Sequence, residues 1–186
     1  MKVLVLDAFP LDSADRGLVD AALDTLRTNG HEVSHRVLCG SPFETFMSAA
    51  EHSAYHGDSP LVTPETSEDA AALQEAHGLL FCYPTNMFTL PAVLKSWLER
   101  VLVPGVSFVF NANGKVRPGM TNIKRIGMIT TSVHDKAATR RAGDSGRRTI
   151  LRNLRMSCHT LCKRTFVSVP AGQDGTADVR HALSRW

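Results

Sequence analysis

The stretch Gly78-Leu79-Leu80-Phe81-Cys82-Tyr83-Pro84-Thr85-Asn86-Met87-Phe88-Thr89-Leu90-Pro91 decides how the chain is read. Its first six residues are an uninterrupted apolar run flanked by Gly and Pro, the pattern of a strand buried on both faces. Residues 84–90 form a loop, and Pro91 takes the N1 position that proline favours at a helix start. Leu94, Trp97, Leu98 and Val101 follow on one side of that helix, giving it an apolar stripe. Strand, loop and helix in that order are part of a βαβ unit and call for a parallel sheet.

The same alternation extends in both directions. Residues 2–6 read as a strand, and residues 15–28 carry Leu18, Val19, Ala22, Leu23 and Leu26 at helical spacing. Asn29-Gly30 closes that helix with a left-handed cap, and residues 31–38 read as a second strand. A longer connection, residues 39–67, holds a short helix near 43–55 and the breakers Pro60 and Pro64, before a helix near 67–76. Beyond the quoted stretch, Pro104-Gly105 ends the helix, and residues 106–116 form an extended arm turning at Asn113-Gly114. Residues 123–131 give a fourth core strand. Asp144 or Ser145 caps a helix running to about Cys158, with Ile150, Leu154 and Cys158 recurring every four residues. Residues 165–169 supply a fifth strand and residues 176–186 a closing helix. The expectation is one domain over residues 1–186, a doubly wound α/β sheet whose ligand loops, 7–15, 84–90 and 131–146, gather at the carboxyl ends of the strands.

Composition excludes several classes. A hydrophobic fraction of 43% and a charged fraction of 21% are those of an ordinary globular chain, not a disordered or fibrous one. No apolar run reaches the roughly 20 residues of a membrane span, so the expectation is a cytoplasmic protein with no membrane partner. Cys39, Cys82, Cys158 and Cys162 are scattered rather than framed for disulfides, and are read as thiols. Cys158-His159-Thr160-Leu161-Cys162 lacks a second ligand pair, so no metal site is expected.

Net charge is +3 but uneven: Lys136, Arg140, Arg141, Arg147, Arg148, Arg152, Arg155, Lys163 and Arg164 face only Asp135 and Asp144 across residues 135–164. A solvated helix face and a site for nucleotide phosphates both fit this patch. No aromatic residues interleave with the arginines at 140–155, so nucleic acid is not an expected partner.

The first loop, Asp7-Ala8-Phe9-Pro10-Leu11-Asp12-Ser13-Ala14-Asp15-Arg16-Gly17, carries neither the glycine-rich dinucleotide fingerprint nor a P-loop. It offers Ser13 and backbone amides just before a helix N-terminus, with Arg16 as a charged clamp for a phosphate. Ser13 also reads as a plain N-cap.

The segment from Tyr83 to Phe108, with Pro84, Pro91-Ala92, Leu94-Lys95, Trp97, Glu99-Arg100-Val101, Pro104-Gly105 and Phe108, resembles the signature of the NAD(P)H:quinone oxidoreductase and modulator of drug activity family. The order of elements agrees with that family over the whole chain. The resemblance implies a flavodoxin-like three-layer sandwich with a five-stranded parallel sheet in the order 2-1-3-4-5. It further implies non-covalent FMN or FAD, NAD(P)H as co-substrate, and a quinone or similar small molecule as acceptor. By the same resemblance, Pro84, Thr85, Asn86, Met87 and Phe88 lie along the flavin ring. Ser13 with Asp15 or Arg16 holds phosphate, and Thr130, Thr131, Ser132, Val133 and His134 flank the ring. A homodimer pairing through the 39–67 connection and the 106–116 arm is implied too.

The chain departs from the family pattern where Phe9 replaces His, Met87 replaces Trp and Thr89 replaces Gly, and where Ser132-Val133-His134-Asp135 replaces a Gly-Gly and Tyr. Met87 can still pack on a flavin edge through its polarisable sulfur. His134 is the candidate proton donor to a reduced acceptor, because an imidazole titrates near neutrality. The arginines of the basic patch supply charge suited to the 2′-phosphate of NADPH. Two other readings of the same residues are a flavodoxin-type electron carrier or regulatory subunit, and a flavin-free family member.

Overall fold

A computed structural model describes residues 1–41, 43–55 and 61–186; Pro60, read as a breaker, lies outside them. The elements are β1 (Lys2–Asp7), α1 (Arg16–Thr28), β2 (Glu32–Val37), α2 (Ala49–Ala54), α3 (Pro64–Glu75), β3 (Gly78–Pro84) and α4 (Ala92–Val101). They continue as β4 (Phe108–Phe110), β5 (Val116–Pro118), β6 (Arg125–Ser132), α5 (Lys136–Arg141), α6 (Ser145–Arg148), β7 (Lys163–Pro170) and α7 (Thr176–Leu183). The main sheet is parallel in the order β2-β1-β3-β6-β7, which is 2-1-3-4-5 counted over its own strands. β4 and β5 form the expected arm as an antiparallel pair.

Alternation along the central strands divides the core in two. Leu4, Leu6, Leu79, Phe81, Ile126 and Met128 point to the side covered by α3, α4 and residues 145–157, where Leu73, Leu94, Trp97 and Ile150 meet them. Val3, Val5, Leu80, Cys82, Ile129 and Val167 point to the side covered by α1 and α7. Burying each large apolar side chain of this kind contributes about 1.5–3 kcal/mol, and β3, apolar at consecutive positions, serves both faces. Gly30 follows α1 with φ of 76°, and the His31 N–H bonds the Leu26 carbonyl at 3.1 Å, closing the helix as Asn29-Gly30 predicted.

Several local expectations change. Pro64, read as a breaker, is the first residue of α3, which starts three residues before the helix expected near 67–76. Residues 145–157 are not one α-helix: α6 passes into a π turn at Thr149–Asn153 and then a 3₁₀ turn at Leu154–Ser157. The wide turn shifts the register, so Ile150 and Leu151 are buried while Leu154 is only half-buried. Neither Asp144 nor Ser145 caps α6 through its side chain; Asp144 has φ of 44°, and Ser145 bonds elsewhere. Pro91, with ψ of 152°, stands in extended backbone just before α4 rather than inside it.

The 39–67 connection is anchored by charge. Arg100, on α4, is buried and donates from Nε to Glu51 at 2.8 Å, from Nη2 to Glu65 at 2.7 Å and from Nη1 to the Glu44 carbonyl at 3.0 Å. Trp97 Nε1 donates to Asp69 at 3.0 Å. The arginine holds the Glu65 carboxyl below its ordinary range. Burial alone would raise Glu51, but the Ser48 N–H and Arg100 outweigh it and lower it.

Candidate active site

Strand order reverses at β1 and β3, so their carboxyl ends open onto the crevice where open α/β sheets bind ligands. The loop after β3 is a tight hairpin. The Asn86 N–H bonds the Thr89 carbonyl at 3.1 Å and the Thr89 N–H bonds the Asn86 carbonyl at 2.8 Å. Met87 and Phe88 between them both have positive φ, 47° and 60°. Two central residues with positive φ define the primed turns that glycine and asparagine favour. Here a methionine and a phenylalanine hold the conformation, strain of the kind that collects at functional sites.

Of the five residues expected along the flavin ring, only two keep an unengaged N–H among the described residues. The Thr85 N–H is engaged with the Thr131 carbonyl at 2.7 Å and the Asn86 N–H closes the turn. Neither the Met87 nor the Phe88 N–H bonds any of the described residues. Pro84 ends β3 opposite Thr131 and carries no N–H. The Met87 side chain is 88% exposed.

Neighbouring elements fix the loop from two sides. Thr85 Oγ1 lies 2.6 Å from Thr130 Oγ1, and Ser145 Oγ donates to the Phe88 carbonyl at 2.9 Å. The Phe88 ring stacks on His134, with centroids 4.3 Å apart and planes 21° from parallel. Gly146 allows α6 this close: a Cβ there would sit 3.0 Å from the Tyr83 hydroxyl and 3.4 Å from the Thr89 carbonyl carbon. Burial, reinforced by the charge of Asp144, drives the Tyr83 pKa upward, so its hydroxyl remains protonated. The sequence offers Ser145 only as a helix cap and does not single out Gly146; the position of α6 brings both against the loop.

The first loop brings Ser13, Asp15 and Arg16 together, engaged with the protein. Ser13 Oγ accepts from the Asp15 N–H at 3.2 Å, a short turn before the helix; the N-cap position of α1 is Asp15, so Ser13 is not the plain N-cap that the sequence also allowed. Asp15 accepts from the Gly172 N–H at 3.0 Å, tying the loop after β7 to the loop after β1. Arg16 turns inward, donating to the buried carboxylate of Asp7 at 2.9 Å, with His35 Nε2 3.2 Å from the same oxygen. Its Nη1 is buried without a partner among the described residues. Phe9 is fully buried in the core beneath α1, so the residue that departs from the family pattern serves packing here. The Asp12 and Ala14 N–H groups have no acceptor among the described residues.

At the end of β6, Thr130 and Thr131 are buried, and Ser132 Oγ accepts from the His134 N–H at 3.1 Å. Val133 and His134 then project outward, with Val133 81% exposed. Leu11, Met87 and Val133 are therefore exposed apolar side chains on the loops at this end of the sheet.

The residues present fit a flavin: a strained loop with two unengaged N–H groups for a polar ring edge, apolar side chains around it, and unengaged amides before α1 for a phosphate. Among the described residues no group of three or more His, Cys, Asp or Glu is placed to hold a metal ion. No helix among them is long and apolar enough to cross a membrane.

Fold and site together define an α/β protein with a flavin-compatible crevice at the switch point of a parallel sheet. The chain belongs to the flavodoxin-like fold family, whose model matches residues 1–182. It is 32% identical over 134 residues to the FMN-dependent NADH:quinone oxidoreductase 2 of Bradyrhizobium diazoefficiens, an alignment covering 68% of this chain and 65% of that one. It is 28% identical over 134 residues to NAD(P)H dehydrogenase (quinone) 1 of Cavia porcellus, covering 64% of this chain and 48% of that one. The chain thus spans less than two thirds of the length of these curated relatives. The solved NAD(P)H:quinone oxidoreductase of Methanothermobacter marburgensis superposes with a TM-score of 0.83 at 18% identity, covering 100% of this chain and 98% of that one, a likeness of fold.

Proposed function

We propose that this protein is an oxidoreductase that binds FMN in the crevice between the loops after β1, β3 and β6 and passes reducing equivalents from NAD(P)H to a quinone-like acceptor. The observation that carries this reading is the pair of unengaged N–H groups at Met87 and Phe88, held in a strained turn against His134. The flavin, when bound, supplies a carrier that takes a hydride from nicotinamide and gives it up to the acceptor. The unengaged Met87 and Phe88 amides would hold the polar edge of the ring and would stabilise negative charge there. Ser13 Oγ still has its hydrogen to donate, and with the Asp12 and Ala14 amides it holds the phosphate, while Asp15 and Arg16 support that loop through Gly172 and Asp7. Thr130, Thr131 and Ser132 position the third loop, and His134 hands a proton to the reduced acceptor.

FMN rather than FAD follows the naming of the bacterial relative. A homodimer is part of the proposal. Phe46, Phe110 and Val116 are 66%, 49% and 61% exposed on the two segments that the resemblance implicates in pairing, and the arm packs on the connection through Tyr55 and Phe108, centroids 6.5 Å apart. Sedimentation equilibrium checks this, and a monomer at micromolar concentration contradicts it.

The test of function is anaerobic. FMN-loaded protein mixed with NADH or NADPH should bleach near 450 nm and recover its colour on adding menadione. Protein that binds FMN but is not bleached by either nucleotide is an electron carrier, and the oxidoreductase reading fails.

A further inference from the structure

Residues 135–164 hold nine of the chain's 21 Lys and Arg but two of its 18 Asp and Glu, so the rest of the chain is acidic on balance. The fold gathers this excess around one pocket of about 370 Å³, between the uncovered face of β7 and the segment from α5 to the π turn. Lys136, Arg140, Arg147, Arg148, Arg152 and Arg164 line it, against the single carboxylate of Asp144. Asp144 reaches only Arg147, at 3.9 Å. The other five cations have neither an ion pair nor a side-chain hydrogen bond among the described residues. Like charges converging on a concavity without counter-charges repel one another, and an anionic ligand relieves that repulsion.

The floor is aromatic. Phe166 is part-exposed in the pocket, and the Arg147 guanidinium lies 4.4 Å from its ring centroid, a surface on which a planar base can stack. The π turn brings Leu151 and Arg152 to the pocket wall, and such turns recur at binding sites.

Position links this pocket to the crevice. His134, whose ring stacks on Phe88, is also one of the residues that line the pocket. Ser168 pairs in register with Thr130, whereas Arg164 pairs with Ile126, four residues back along β7, or about 13 Å. A ligand with one end at the Phe88 turn therefore has an aromatic and cationic channel leading away from it.

We propose that this pocket binds the phosphorylated adenosine of NADPH, with Arg147 and Phe166 against the base and Arg152 and Arg164 on the 2′-phosphate, so that NADPH is preferred over NADH. The inference rests on the oxidoreductase reading for its choice of ligand. A pyrophosphate alone leaves most of six cations unmatched; the 2′-phosphate adds the further negative charge that the cluster answers, and guanidinium groups grip phosphate bidentately.

The direct test is calorimetric titration of the full chain, FMN-loaded, with 2′,5′-ADP and with 5′-AMP. The expected result is affinity for 2′,5′-ADP greater by about tenfold or more, lost in Arg152→Gln/Arg164→Gln, since charge-assisted bonds to phosphate are of that strength. In turnover the same variant should raise KM for NADPH about tenfold while moving KM for NADH and the menadione kcat less than about twofold. Equal binding of the two nucleotides by the wild-type chain overturns the proposal, and so does a variant that binds 2′,5′-ADP like the wild type. If NADH still drives menadione reduction, that failure leaves the oxidoreductase reading standing. Selective 2′,5′-ADP binding by a protein that neither nicotinamide bleaches supports the pocket and removes the oxidoreductase reading instead.

Discussion

Replacing Met87 with asparagine should stabilise the ligand-free protein without disturbing the crevice. Met87 holds φ of 47°, and its side chain is 88% exposed, so almost no packing is lost on substitution. The left-handed conformation costs an ordinary L-residue about 1–2 kcal/mol, and asparagine tolerates it far better. Relief of part of that strain gives about 0.5–1 kcal/mol, and for a chain of this size a Tm rise of about 1–4 °C. FMN affinity should stay within about threefold, because the backbone amides at 87 and 88 remain where they were. Met87→Pro makes the opposite change: proline removes one of the two unengaged N–H groups and locks φ near −65°, which the turn cannot accept. It should lower Tm and weaken FMN binding by about tenfold or more. Differential scanning calorimetry and flavin fluorescence titration read both variants. A Tm for Met87→Asn at or below the wild type would refute the positive-φ turn, and undiminished FMN binding by Met87→Pro would refute the role of the loop amides.

Three further outcomes are expected. Arg100→Ala leaves Glu51 buried without its cation, so it should lose about 3–5 kcal/mol and about 6–20 °C in Tm, measured by urea and thermal denaturation. Glu51 and Glu65 have pKa values lowered in the fold, so the stability they contribute is present above their unfolded value of about 4.3 and is lost as pH falls through the folded values. Tm followed by circular dichroism should accordingly decline below about pH 4, and less steeply in Arg100→Ala. Gly127→Ala should cost about 1–3 kcal/mol, because a Cβ there would lie 2.6 Å from Trp186 and 2.9 Å from Leu80; tryptophan fluorescence during urea unfolding reports it.

The fold was legible because each strand of the main sheet announces itself locally. Gly78–Tyr83 is apolar at every position, Asn29-Gly30 stops α1 by its own conformational preference, and Asn113-Gly114 turns the arm. The helical segment after Asp144 was less legible: recurrence every four residues at Ile150, Leu154 and Cys158 implies an α-helix, and nothing in those residue types announces a π turn. The site was legible as three loops and obscure in its bonding. Which of the amides at 85–88 are free depends on the Thr131 carbonyl across the sheet and on the closing pair at Asn86 and Thr89. Arg16 is committed to Asp7 because β1 ends buried directly beneath the start of α1, a juxtaposition no local pattern encodes. The basic patch was visible as composition, but only the packing of α5, α6 and the π turn over β7 makes it a concavity around Phe166.

The most direct test of the central claim is a titration of the purified full chain with FMN, followed by quenching of flavin fluorescence. Saturation is expected at one FMN per chain, giving a yellow protein whose 450 nm band shifts on binding. A protein that stays colourless and leaves FMN fluorescence unchanged at micromolar concentrations contradicts it.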